Sequence, residues 1–450
     1  MPTRSMGVRV RECQMANHPF AKARELQRAL YRAAKRSATR RFHALYDKVY
    51  REDILRWAWQ LVKANRGAAG IDGQTLAEIE RQGVDVFLAE LARALRDGRY
   101  RPLPVRRVYI PKPDGRQRPL GIPAVRDRIV QAALKLVIEP IFEADFQPCS
   151  YGFRPKRSAH QASGTVRQLA NRGYEWVVDA DIANYFETIN HEKLLLLVAR
   201  RISDRRVLKL IRRFLKAGVL EEGRIRRAST GTPQGGVLSP LLANIYLNYL
   251  DRLWLKHCAG LGELVRYADD LVILCRREQD ARSAWRHLEA ILSRLDLALH
   301  PEKTRLVNLH AGQEGFDFLG FHHRKVCSWR WRRYYLLRWP SVRAMQAIRD
   351  KVKAIIGGRE ALNRGLAEVI TELNPVLRGW GNYFAAANSA RKFAAIDNYV
   401  REKLCLFLSK KHGKAGRGWR ERWRHVNFYV MGLYRLSGTV RWHKTVHATG

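Results

Sequence analysis

The sequence predicts an α+β fold, built on a split sheet of strand–helix–hairpin–helix–strand order with mostly helical segments before and after it. Three observations carry this. "EWVVDADI" (175–182) and "LVRYADDLVILC" (264–275) are rich in apolar and β-branched residues, the second as two runs around a turn. "HEKLLLLVARRI" (191–202), "LSPLLANIYLNYLDRLWLKH" (238–257) and "DARSAWRHLEAILSRLDLAL" (280–299) carry apolar residues at helical spacing. "TRLVNL" (304–309) and "FDFLGF" (316–321) then return as strands. That order is the ferredoxin-like split arrangement.

The remaining elements follow in chain order. Residues 20–50 read as a basic helix with Leu26, Leu30, Ala33 and Ala34 on one side. Residues 56–65 are helical and stop at the Gly-rich "NRGAAGIDGQT". "DVFLAELARALRDGRY" (85–100) is a helix with a Gly stop, and 101–123 alternates strand and turn signals around a Pro-Asp-Gly hairpin turn. "DRIVQAALKLVIEPIF" (127–142) is helical. Ser-Pro admits the helix at 238, and Trp285, Leu288, Ile291, Leu292 and Leu295 share a face of the helix after the hairpin. Past an aromatic, basic stretch (324–340) the chain reads as helical with no further strong strand pattern, which sets a domain boundary near 335.

The chain has 450 residues, with 83 Lys+Arg against 42 Asp+Glu and a formal net charge of +41. Such an excess opposes a compact state by self-repulsion unless a polyanion neutralises it. Nucleic acid is the partner that fits, and 12 Trp and 17 Tyr offer rings on which bases stack. The six cysteines (Cys13, Cys149, Cys258, Cys275, Cys327, Cys405) form no CxxC pair, so no zinc ribbon or disulfide framework is indicated and a reducing compartment is expected. No apolar run is long enough to span a membrane, and no signal-peptide core is present.

The chemistry centres on Asp269 and Asp270, side by side between two strand-like runs. Adjacent acids in such a place repel each other and lose hydration. An exposed turn is the bland reading, but the aromatic, strand-like flanks weaken it. The pair makes sense if it holds a divalent cation, since Mg²⁺ takes oxygen ligands from one or two carboxylates and substrate phosphates. A third acid is expected from a neighbouring strand. Asp181 and Asp179 both qualify, because side chains two apart share a strand face. Three such carboxylates suit two metals, one activating an attacking hydroxyl and one stabilising a leaving pyrophosphate.

"YADD" (267–270) resembles the signature of reverse transcriptases, and further blocks follow in that family's order. They are "YIPKPDGRQRPLGIP" (109–123), "YGFRPKRSAHQA" (151–162), "DADIANYF" (179–186), "GTPQGGVLSPLLANIYL" (231–247), "LHPEKT" (299–304) and "FLGF" (318–321). "NPVLRGWGNYF" (374–384) is similar to the thumb motif, or maturase domain, of group II intron-encoded proteins. The likeness covers about residues 55–400. It implies a right-hand polymerase with fingers, a ferredoxin-like palm and an α-helical thumb.

The resemblance also implies roles for single residues. It selects Asp181 over Asp179 as the first metal-binding aspartate, with Asp269 and Asp270 as the others and Ile182 lending a backbone carbonyl. Phe186 matches the gate that crowds a ribose 2′-hydroxyl. Lys112 and Arg118 match the residues that grip an incoming triphosphate, which a point charge and a planar fork suit on physical grounds. Gln234 and Gly235 match the loop beneath the nucleotide, and Lys303 a general acid for pyrophosphate departure. Arg154 and Arg157 are expected to touch template or triphosphate rather than to form structure.

The implied layout is a basic helical N-terminal extension (1–55), fingers and palm (56–335), thumb or maturase domain (336–400) and a basic, DNA-binding C-terminal segment (401–450). This last segment holds 12 Lys/Arg and 2 Asp/Glu, with Trp419, Trp423 and Trp442 interleaved. The endonuclease that many relatives carry needs His/Asn and paired Cys, and is not expected. The implied activity is RNA-directed DNA synthesis with two Mg²⁺ ions, for which Mn²⁺ can substitute, and deoxynucleoside triphosphates. Partners would be an RNA template, group II intron RNA, and a DNA primer or target DNA, in a bacterial cytoplasm. Rival readings are a domesticated reverse transcriptase of repair or defence, a splicing maturase that no longer polymerises, and a diversity-generating retroelement enzyme. The intact aspartates speak against the second and the thumb motif against the third.

Overall fold

In the computed structural model the described residues are 20–111, 117–221, 224–226, 231, 235–358, 360–413 and 418–441. They form a mixed α+β structure with eleven strands. In chain order these are β1 (Val105–Pro111), β2 (Gln117–Ile122), β3 (Trp176–Asp181), β4 (Val219–Glu221), β5 (Arg224–Arg226), β6 (Glu263–Tyr267), β7 (Asp270–Cys275), β8 (Arg305–Asn308), β9 (Gly315–Phe318), β10 (Phe321–Cys327) and β11 (Tyr334–Pro340).

The expected split unit is present. Its four strands lie in the order β6-β7-β3-β8, all neighbours antiparallel. Two further sheets have the orders β2-β1-β4-β5 and β11-β10-β9. The central sheet is covered on both faces. Val178, Ala180, Leu264, Leu271 and Ile273 enter the main core with the helices Val125–Glu143, Ser239–Leu253 and Glu278–Ser293. Val177, Val265, Val272, Leu274 and Val307 face the other way, onto Ala162, Val166 and Leu336. Two-sided burial is why "LVILC" is apolar at every position rather than at alternate ones.

The helix Ala21–Arg36 buries Ala23, Leu30 and Ala34 and packs on Val125–Glu143, so this part of the N-terminal segment shares the main core. Arg201 fastens its end, donating to the Ala34 carbonyl at 2.9 Å and the Ser37 carbonyl at 3.0 Å. A second core forms from the helices Val342–Ile356, Leu366–Phe384 and Ala390–Lys411.

Three features differ from the sequence reading. "FDFLGF" is not one strand: it bends back at Leu319 and Gly320, both with positive φ (52° and 78°), and Phe318 pairs with Phe321 across a two-residue turn. The stretch 324–340 belongs to a long β10–β11 hairpin, so a boundary at 335 runs through a strand and the sheet ends at Pro340. The C-terminal segment is not a free tail as far as 441, since Phe428, Leu433 and Leu436 are buried in the second core and Trp423 donates to Ser409 Oγ at 2.8 Å. Trp442 lies outside the described residues.

Candidate active site

The acid pair sits on a strained turn. β6 ends at Tyr267 and β7 begins at its cross-strand partner Asp270, leaving Ala268 and Asp269 to make the turn. Ala268 has φ of 57°, and an L-residue held in that region costs about 1–3 kcal/mol. Two contacts hold it there. Arg266, fully buried, donates to the Ala268 carbonyl at 2.9 Å, to Asn244 Oδ1 at 3.2 Å, to Ser150 Oγ at 2.8 Å and, through Nε, to Asp251 Oδ1 at 2.8 Å. Burial works against this guanidinium, but the Asp251 carboxylate more than offsets it and holds its pKa above the ordinary value.

The second contact is Gly152. A Cβ at this position would lie 2.5 Å from the Ala268 nitrogen and 2.9 Å from the Tyr267 carbonyl carbon. Both are backbone atoms, so they can give way only by moving the turn. Gly152→Ala is therefore expected to displace Asp269 and Asp270 and to slow the chemistry about 10²-fold, the usual effect of a 1 Å misplacement. The far-UV circular dichroism should stay unchanged. Wild-type turnover by this variant, measured beside its spectrum, would contradict the assignment.

Strand register brings the other acids to this turn. Asp181 closes β3 directly opposite Asp270, whereas Asp179 faces Val272. The Asp181 carbonyl accepts from His300 N at 2.7 Å, Ala183 N donates to the Ala298 carbonyl at 2.9 Å, and Ile182 bridges Leu299. These bonds clamp segment 298–303 to the strand end, and the Lys303 ammonium forms an ion pair with the Asp181 carboxylate. Asp179 is instead paired with Arg305 at 3.4 Å.

Electrostatics mark the place. Asp270 opens on a cleft, yet the walls remove enough water to push its pKa up, and the charges of Asp269, Asp181 and Asp179 push further, to about 7, with Lys303 opposing. Asp179 is raised to about 6, by burial above all, with Arg305 opposing. More negative charge is gathered here than the neighbouring cations neutralise. The cleft measures about 530 Å³, with Glu302, Arg305 and Arg343 also on its walls, a size typical of sites for a nucleotide-sized ligand.

Among the described residues no three acid, His or Cys side chains stand together as a finished metal cluster. Asp181 is turned toward Lys303 instead. The donor chemistry nevertheless fits a hard divalent cation. All the donors are oxygens, burial and their mutual repulsion raise Asp270, and among the described residues Lys303 alone forms an ion pair with Asp181.

The other expected residues fall out unevenly. Phe186 lies in the short helix Tyr185–Thr188 behind Asn184 (φ 46°); it is partly buried against the main core, edge-to-face with Tyr185 at 5.2 Å. Gly235 has φ of 110°, and a Cβ there would meet the Gly121 carbonyl oxygen at 2.5 Å, so only glycine lets this loop lie on β2. Lys112, Gln234 and the Arg118 side chain lie outside the described residues. For Arg154 the expectation of a nucleic-acid contact is corrected. Its buried guanidinium is consumed by Glu143 at 2.7 Å and by the carbonyls of Gln147 and Ser150 at 2.6 and 2.8 Å. Arg157 is half-buried, lying over the Tyr151 ring at 5.1 Å and donating to the Pro148 carbonyl at 3.2 Å. Sequence reasoning missed Arg266, Asp251, Asn244, Ser150 and Gly152. The one available signal was an arginine inside an otherwise apolar strand, "LVRY".

Comparison with known proteins gives two family matches. Residues 110–323 match the family described as "Reverse transcriptase (RNA-dependent DNA polymerase)" and residues 345–425 match "Group II intron, maturase-specific domain". "Protein YkfC" of Escherichia coli (strain K12) is 37% identical over 340 residues, which are 67% of this chain and 88% of that protein. "Group II intron-encoded protein LtrA" of Lactococcus lactis subsp. cremoris is 41% identical over 218 residues, 48% of this chain but only 36% of that longer protein. An "Uncharacterized 91 kDa protein in cob intron" of Schizosaccharomyces pombe is 27% identical over 437 residues, 81% of this chain and 53% of that protein.

Proposed function

The chain belongs to the reverse transcriptases that carry a group II intron maturase-specific domain, and from this premise we propose that its cleft at Asp181, Asp269 and Asp270 performs RNA-directed DNA synthesis. The observation that carries the proposal is the register of β3 on β7, which sets Asp181 beside Asp270 in a cleft where carboxylates outnumber the cations Lys303, Arg305 and Arg343. In this reading the four-stranded sheet is the palm, the β1–β2 hairpin belongs to the fingers, and the helices after Pro340 form the thumb.

Asp181, Asp269, Asp270 and the Ile182 carbonyl would hold two Mg²⁺ ions, which supply Lewis-acid stabilisation for the attacking 3′-hydroxyl and the leaving pyrophosphate. Segment 298–303 fixes the backbone of Asp181 and would hold its carboxylate in place to receive a metal. Lys303 leaves Asp181 to donate a proton to the departing pyrophosphate oxygen. Lys112 and Arg118 grip the triphosphate, and Gln234 and Gly235 floor the nucleotide pocket. The substrates are deoxynucleoside triphosphates, an RNA template and a DNA primer. The natural template is group II intron RNA, whose splicing and mobility the protein assists through the basic surface outside the cleft. Primer extension on an RNA template with Mg²⁺ tests the proposal; a purified, folded protein that incorporates no nucleotide would overturn it.

Phe186 is proposed as the sugar gate. A ring beneath the incoming ribose excludes the 2′-hydroxyl by overlap, so Phe186→Val should incorporate ribonucleotides far more readily while synthesis from deoxynucleotides changes little. A purely structural phenylalanine behaves differently, because truncating it leaves a cavity and lowers stability and all activity together. Single-nucleotide extension beside a melting curve separates the two. A stable, active variant that still rejects ribonucleotides removes the gate.

A further inference from the structure

The β10–β11 hairpin carries an exposed aromatic and basic tip that the cleft does not use. Near its base the strands alternate as a half-buried hairpin should: Phe321, His323, Lys325, Leu336 and Arg338 are buried. Beyond Lys325 the alternation ends. Val326, Cys327 and every residue from Trp329 to Tyr335 ("WRWRRYY") are exposed, on both faces of the ribbon. Seven-residue strands at about 3.4 Å per residue carry the tip about 20 Å from the Leu319–Gly320 turn beside the cleft.

The tip is ordered by its own bonds. Ser328 N donates to the Arg333 carbonyl at 2.8 Å, Arg332 N to the Ser328 carbonyl at 2.8 Å and Trp331 N to Ser328 Oγ at 3.4 Å. Its rings are not spent on the fold: Trp329 is 87% exposed and Trp331 64%. A scattered exposed aromatic needs no explanation, but two tryptophans and two tyrosines on seven consecutive residues form a patch. Charge identifies what fits it. From 318 to 349 the sequence has eight Lys/Arg and no Asp or Glu. Among the described residues Arg330, Arg332 and Arg333 join no ion pair, while Arg330 lies over the Trp331 ring at 5.2 Å. Flat exposed rings flanked by unpaired guanidinium groups match an anionic chain with free π-faces. That is an unpaired strand of nucleic acid, since a duplex hides its base faces.

We propose that the hairpin tip, through Trp329 and Trp331 with Arg330, Arg332 and Arg333, is a second nucleic-acid site that stacks unpaired nucleotides outside the polymerase cleft. It rests on reading the chain as a nucleic-acid enzyme, but not on the chemistry assigned to the aspartates. Single-stranded RNA and DNA share the recognised chemistry, base faces joined by phosphates, and the test separates them.

The experiment uses the full chain carrying Trp329→Ala with Trp331→Ala, beside Trp329→Phe with Trp331→Phe. Affinity is measured at fixed salt for a uridine RNA homopolymer, a thymidine DNA homopolymer, a blunt duplex and a sulfated polysaccharide. Primer extension is measured on a pre-annealed duplex with a template overhang too short to reach the tip. The alanine variant should bind the single strands about 10- to 100-fold more weakly, the loss expected for one or two stacked bases. The phenylalanine variant should recover most of that, and binding to duplex and polysaccharide and short-overhang extension should stay at the wild-type level. A loss confined to RNA or to DNA supports the site and names its ligand. Unchanged single-strand affinity overturns it, as does an equal loss on the polysaccharide, which would reduce the tip to a charged patch. Joint loss of binding and extension without rescue by phenylalanine overturns it too, in favour of a folding role. A wild-type chain that binds single strands through these rings but extends no primer would instead contradict the proposed polymerase and leave the tip standing.

Discussion

Asp269→Ala with Asp270→Ala is expected to abolish DNA synthesis while leaving RNA affinity largely intact. The loss should reach at least about 10³-fold, above the 10²–10³ that follows removal of a single preorganised electrostatic donor. Two of three proposed metal-binding carboxylates disappear together, and Asp179, two residues before Asp181, is held by Arg305 at 3.4 Å. Affinity should survive because the positive charge is spread over the chain rather than gathered at the turn. The fold should survive as well. Burial and the neighbouring acids raise Asp270 to about 7, so ionised carboxylates here oppose the folded state and their removal should not lower the melting temperature. Primer extension, RNA filter binding and a thermal melt on one preparation check all three. Near-normal synthesis by the double variant would remove the acids from the mechanism.

RNA binding should fall steeply with salt. Neutralising about 6–10 phosphates releases enough counterions to weaken binding about 10³- to 10⁵-fold between 50 and 200 mM salt. A net charge of +41 on 450 residues is otherwise a pure cost in self-repulsion. Fluorescence anisotropy with a labelled RNA, repeated across that range, gives the slope; a flat response would mean that the charge is not the binding surface. Deleting 401–450 would not be a clean way to reduce the slope. Phe428, Leu433 and Leu436 lie in the second core, so the deletion would damage the fold along with the charge.

The central sheet was legible because its burial is written in local composition. A fully apolar "LVILC" and the helical spacing after it leave few alternatives, and the strand order follows from the split arrangement. Asp181 was legible only through the family likeness, as period-two reasoning cannot separate it from Asp179; the register against Asp270 is a property of two strands about ninety residues apart. What supports the turn was hidden for the same reason. Arg266 reaches Ser150 across 116 positions and Asp251 across 15, and Gly152 matters only for the backbone it touches. Arg154 misled because a basic residue in a basic protein looks like a ligand contact until its internal acceptors are known. The β10–β11 hairpin escaped because its outer half is exposed on both faces, which erases the alternation that marks a strand.

The register itself gives the most direct test. Asp181→Asn and Asp179→Asn change one charge each, two residues apart on the same strand, with no change in side-chain size. Primer extension on an RNA template with Mg²⁺ should drop by at least about 10³-fold for Asp181→Asn, again beyond the loss of one electrostatic donor. Asp179→Asn loses its pairing with Arg305 and removes one of the smaller influences that raise Asp270, and should keep most of the wild-type rate. The opposite order, or full synthesis by Asp181→Asn, would contradict the assignment of this cleft.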